Sequence, residues 1–169
     1  MSWMRERMSR RPQGIAASCR IRERLPSISV LSVRTGERCL RRLGVIEAER
    51  NRERLQKLAK ICVAFPGTAK EEMHGHMAFK VGKKTFAYYL NDHHGDGIVS
   101  VCCKVLAGDN ERLIEANPRK FYMPAYIGAR GWVALRLDRA TVDWSEVQEL
   151  VRSSYEQMAS KKLLRELNA

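Results

Sequence analysis

The sequence predicts an α+β fold: a two-layer sandwich with an antiparallel sheet packed on helices, preceded by an arginine-rich extension. Three observations carry this. Apolar residues recur at helical steps of three and four in residues 45–65 and 143–158. Between those stretches they alternate one by one, as strands do. The first 44 residues show no sustained period at all. Helices grouped around an antiparallel meander give one covered sheet face and one partly open face.

The organised part begins at Val45. In the first helix Leu55, Leu58, Cys62 and Phe65 share a face until Pro66-Gly67 stops it. A hairpin follows, with Gly82-Lys83 as its two-residue turn. That turn pairs Val81 with Lys84, Phe79 with Phe86 and Met77 with Tyr88 on the core face. On the reverse face it pairs Lys80 with Thr85, Ala78 with Ala87 and His76 with Tyr89. The polar turn NDHHGDG leads to a third strand, where Val99, Val101 and Cys103 oppose Ser100, Cys102 and Lys104. A short helix runs from an Asp109 N-cap to Asn117-Pro118. After a basic, aromatic loop comes a fourth strand, in which Val133, Leu135 and Leu137 alternate with Trp132, Ala134 and Arg136. Asp143 and Glu146 form a capping box for the closing helix, and KKLLREL adds a last basic helical turn or two.

Size and charge narrow the function. A chain of 169 residues with 44% hydrophobic content supports one core, so residues 45–169 read as one domain and 1–44 as a disordered or weakly structured extension. Residues 1–50 hold twelve arginines, no lysine and five glutamates, a formal +7; residues 51–169 hold nineteen cations and fourteen acids, a formal +5. Most of the excess charge therefore sits outside the domain. Three readings of the extension stay open: a nucleic-acid arm, an organelle transit segment, or a dispensable or mis-called start. Five cysteines, none in a CxxC pair, exclude a disulfide framework or zinc ribbon and fit a reducing cytoplasm. No stretch is long and apolar enough to anchor in a membrane.

Three segments then carry a resemblance: GHMAFKVGKKTFAY (75–88), PAYIGARGWVALRLD (124–138) and DWSEVQELVRSSYEQMASKKL (143–163). In this order they resemble the MmcQ/YjbR family of small bacterial proteins, over roughly residues 50–165. The resemblance implies a CyaY-like (frataxin-like) sandwich and a DNA-binding role of double-wing type. It does not carry frataxin-type iron handling, because the first helix here is basic rather than acidic.

The residues themselves support three kinds of site to different degrees. For DNA, Lys80, Lys104, Arg130, Trp132 and Arg136 interleave cations and an aromatic plane on the open sheet face, Lys83 and Lys84 tip the hairpin as a wing, and Lys161 and Lys162 add charge. For a small-molecule ligand or an enzymatic substrate, the same face offers a pocket near His76, Tyr89, Tyr126 and Trp132. For metal, His74, His76, His93 and His94 lack a third ligand at fixed spacing, so neither metal nor other cofactor is expected. No catalytic motif is present, although Cys102 beside His76 is an imaginable nucleophile. DNA is the leading partner on this reading, and the oligomeric state is not specified.

Overall fold

Pro66 and Gly67 end the first helix and turn the chain into the sheet. The computed structural model describes residues 30–73 and 75–169, in two units, Met1–Arg38 and Cys39–Ala169. In the first, the described part is helical backbone from Val30, the start of α1 (Val30–Val63). The expectation for residues 1–44 thus falls outside the described residues up to 29, and from 30 onward the backbone is helical.

The second unit holds the sheet. Its strands are β1 (Thr68–Met73), β2 (His76–Val81), β3 (Lys84–Asn91), β4 (Val99–Lys104), β5 (Phe121–Tyr122) and β6 (Trp132–Arg136). All pairings are antiparallel, in the order β1-β2-β3-β4-β6-β5. Helices α2 (Asp109–Ala116), α3 (Trp144–Met158) and α4 (Lys161–Leu167) complete it. Leu58 and Cys62 of α1 and Val147, Val151 and Tyr155 of α3 meet Phe79, Val101, Val133 and Leu137 in one core. The α+β sandwich is therefore present, with its helices on one face of the sheet.

Two strands had no apolar signal to announce them. β1, TAKEEM, is mostly exposed, an edge strand whose charges face water. β5 is two residues long and pairs Phe121 with Leu135 and Tyr122 with Ala134. The helix starts also differ in detail. Gly108, at φ 83°, occupies the N-cap of α2, which moves Asp109 into the first turn. Asp143 does cap α3, accepting from the backbone N–H of Ser145 and Glu146. Glu146 does not reach back; its carboxylate accepts from Lys120 Nζ at 2.6 Å.

The hairpin departs from the sequence expectation in a way that matters. Near the turn the pairing is as expected, Val81 with Lys84 and Lys80 with Thr85. Gly82, at φ 59°, supplies the positive φ of the tight turn. Beyond it a β-bulge leaves Phe86 without a partner in β2, so that Phe79 faces Ala87, Ala78 faces Tyr88 and Met77 faces Tyr89. Phe86 and Ala87 both enter the core, and every later residue of β3 changes sides. Tyr89 is accordingly corrected to the helix face, where its hydroxyl donates to the Asn51 carbonyl at 2.9 Å.

Ser154 of α3 holds this irregularity in place. Its hydroxyl donates to the Phe86 carbonyl at 2.5 Å and accepts from the Lys104 N–H at 2.9 Å, in a fully buried position. Gln157 Nε2 donates to the Lys104 carbonyl from the next turn. The Ser154→Ala substitution strands both buried backbone groups and is expected to cost roughly 2–4 kcal/mol of stability, measured by urea unfolding. A loss below about 0.5 kcal/mol would mean the bulge is held by packing alone.

Candidate functional site

On the helix-free face, direct pairing aligns five residues across five strands: Ala78, Tyr88, Cys102, Ala134 and Tyr122. The small side chains of Cys102 and Ala134 make a floor between two tyrosines. Trp132 packs on the same face, its ring 5.3 Å from that of Tyr88. In the next row the Ser100 hydroxyl shares a hydrogen bond of 2.9 Å with the Tyr122 hydroxyl. Burial pushes the Tyr122 phenol up to about 12, against the opposing effect of that hydrogen bond, so it stays protonated at neutral pH.

Two loops rise around this floor. One, residues 91–98, contains a 3-10 turn at His93–Gly95. Asp92 secures it by accepting from the Gly97 N–H at 2.7 Å, and Asp96 accepts from the Ile98 N–H at 2.9 Å. The other, residues 123–131, contains the 3-10 turn Gly128–Arg130. Buried Asn110 of α2 donates to the Gly128 carbonyl at 3.1 Å, and the Gly131 carbonyl accepts from Val105 N–H at 2.9 Å. A Cβ at Gly128 would lie 2.4 Å from Met123 Cγ, so this methionine side chain would have to move to admit one.

Between the loops lies a cavity of about 650 Å³. Its lining is largely apolar and aromatic, including Met73, Tyr88, Leu90, Ile98, Met123 and Ile127, with His76, His93, His94 and Asp96 as its polar members. His93 Nδ1 stands 2.7 Å from His76 Nε2, so one imidazole donates to the other. His94 lies tilted against His93 with centroids 3.9 Å apart and meets Tyr126 edge to face at 6.0 Å. Among the described residues the non-glycine positions with positive φ are Asp92, His94 and Tyr126, at 52°, 61° and 64°. All three lie in the loops that border this cavity. Such backbone is costly for residues bearing a Cβ and collects at functional sites.

The comparisons follow from this geometry. The model of the YjbR family matches residues 63–157, more than half of the chain. The chain belongs to the YjbR family. The YjbR domain is also similar in fold to the Deinococcus radiodurans protein DR2400, a crystal structure described by the family-model domain DUF419. Their TM-score is 0.54 and their identity 24%, over 68% of this chain and 87% of that one. No curated protein matches the sequence. The CyaY-like comparison rests on the sequence resemblance alone.

The YjbR domain distributes the sequence candidates unevenly. His76 and Tyr126 line the cavity, Trp132 lies behind Tyr88, and Tyr89 is on the opposite face. Of the cations, Lys80 is paired with Glu71, and Arg136 Nη2 stands 2.5 Å from Asp138. Burial opposes ionisation of Asp138, but the Arg136 hydrogen bond and charge outweigh it and hold the carboxyl below its usual range. Lys104 Nζ donates to the Arg130 carbonyl. Lys83, Lys84, Arg130, Lys161 and Lys162 are exposed, the last two on α4. Trp132 is only 8% exposed, which withdraws it from stacking on a base.

Sequence reasoning did not single out Tyr88, Tyr122 or Asp96 for this site. The bulge hid the first, the two-residue strand hid the second, and Asp96 read as a turn residue. Cys102 is buried and its thiol is pushed up to about 12 by burial, which removes it as a nucleophile. Burial raises the Cys62 and Cys103 thiols in the same direction. His74 lies outside the described residues. Among the described residues no group of three or more His, Cys, Asp or Glu is placed to hold a metal ion. Among them, too, no helix is long and apolar enough to cross a membrane.

Tyr126 is 83% exposed and sits at φ 64°, so little packing repays its backbone conformation. The Tyr126→Gly change is expected to raise stability by about 1 kcal/mol in chemical denaturation, because glycine adopts this conformation without a Cβ clash. A destabilised variant would show that the ring contributes more than the strain it sustains.

Proposed function

We propose that this YjbR domain binds a small organic molecule in the cavity between the two loops. The observation that supports the reading is the cavity itself. Its volume, about 650 Å³, is in the ordinary range for metabolite sites, and its few polar groups are gathered on one side of an apolar lining. Both walls are tied down by backbone hydrogen bonds, so a ligand meets a preformed site and little ordering cost is charged against affinity. The domain acts as a binding module on this reading. The hydrogen-bonded His76–His93 pair supplies proton donor and acceptor capacity to the bound molecule.

Metabolite-library screening by thermal shift, repeated with Ala125→Trp, tests the proposal. Ala125 lines the cavity from an exposed loop position, so the indole fills the site without entering the core. A stabilising compound is expected for the parent chain and is expected to be lost in the variant, whose own melting temperature stays close to that of the parent. Hits that survive Ala125→Trp would place binding elsewhere.

A second reading, DNA binding through phosphate contacts, is favoured by one observation. Lys83 and Lys84 project at the β2–β3 turn with no ion pair among the described residues. Together with Arg130 and the basic α4 they are free to contact a polyanion. Affinity for duplex DNA is then expected to fall steeply with salt, and Lys83→Glu with Lys84→Glu is expected to weaken binding and flatten the salt slope by about two units. Absence of binding at low salt would end this reading.

A further inference from the structure

We infer that the cavity selects a planar heteroaromatic cation over an anion of the same shape. The inference rests on the proposal that the cavity is a ligand site, and it adds the chemical class of the ligand.

Charge is the first argument. Among the described residues the lining contains no lysine or arginine, and Asp96 is its sole acid. Arg136 is close enough to feel the Asp96 charge, but its own charge is spent on Asp138 at 2.5 Å. Apart from its three imidazoles, the described lining therefore carries one formal negative charge, on the exposed Asp96, beside an apolar surface. A carboxylate or phosphate entering there would lose its hydration, meet imidazole N–H donors but no lysine or arginine among the described residues, and face the Asp96 charge. An organic cation would lose less hydration and gain the Asp96 field.

The second argument is the aromatic arrangement. Tyr88 and Tyr122 flank the floor, and Tyr126 stands at the mouth beside His94. Three tyrosine rings thus line the cavity, and an aromatic ring that turns its face to a delocalised cation attracts it through its quadrupole. Tyr122 remains a neutral phenol while its hydroxyl is engaged by Ser100, so its ring rather than its oxygen is left for the ligand.

The third argument is the backbone strain at His94 and Tyr126. Both non-glycine residues hold positive φ while presenting their rings at the cavity mouth. Glycine would relieve the strain and remove the ring, so the ring is what the strained conformation retains.

The test uses the full-length chain at mildly alkaline pH with three probes that share the quinoline ring system: N-methylquinolinium, quinoline and quinoline-4-carboxylate. Binding is followed by amide chemical shifts of residues lining the cavity. N-methylquinolinium is expected to bind about tenfold tighter than quinoline-4-carboxylate, with quinoline between them. The Asp96→Asn variant keeps an oxygen to accept from Ile98 N–H. It is expected to reduce the affinity for N-methylquinolinium to that for quinoline while leaving the quinoline affinity within about twofold. Equal or tighter binding of the carboxylate, with shifts in the cavity, would overturn the charge selection and leave the ligand site standing. Shifts in the cavity from none of the three would overturn the selection for a heteroaromatic cation, while the ligand site itself stands or falls with the library screen and its Ala125→Trp control.

Discussion

Phe86 is one residue more than β2 can match, and the arrangement of the sheet's two faces follows from how that surplus is accommodated. The bulge puts Phe86 and Ala87 side by side in the core and reverses the facing of everything after them. Without it, Tyr88 would point at the helices and Tyr89 at the loops. Ser154 joins the bulge carbonyl to the end of β4, so one hydroxyl from α3 fixes both the irregularity and the strand beside it. Tyr155, the next residue, donates to the Pro66 carbonyl at 2.7 Å and stacks on Phe65 with ring centroids 4.9 Å apart. Two successive side chains of α3 thereby tie the hairpin to the turn that ends α1.

The core was legible because periodicity reports burial directly. Val99, Val101 and Cys103 in β4, Val133 and Leu135 in β6, and Leu137 just after it, fall on the helix face that alternation assigns them. Leu58, Cys62, Val147, Val151 and Tyr155 follow the helical stripe equally well. The site was less legible, for two physical reasons. A bulge carries no residue signature here, so the parity of Tyr88 and Tyr89 could not be read from the hairpin turn. Loop walls have no period either, and their geometry is decided by distant partners such as Asn110 and Gly128, brought together by the fold. His76 and Tyr126 were found because they flank recognisable elements; Tyr122 was missed because a two-residue strand leaves no pattern.

The open face has a different character from the one its sequence suggests. Lysine and arginine at alternate positions read as a cationic surface, yet the acids that neutralise them come from elements the alternation does not reveal. Glu71 arrives on the unannounced edge strand, and Asp138 from just beyond β6. Once these pairs form, the surface over the central strands is governed by its aromatic and small residues and by the loops that enclose them.

The two borders of the sheet are closed by different means. On one side β1 presents Lys70, Glu71 and Glu72 to solvent, so an approaching strand would have to desolvate alternating charges to claim the free backbone groups. On the other, β5 ends after Tyr122, too short to template a partner. Zipper-like growth, strand added to strand, therefore has no starting rung at either border. The helix-free face can then stand open without also offering another copy's unfolded chain a strand to pair with.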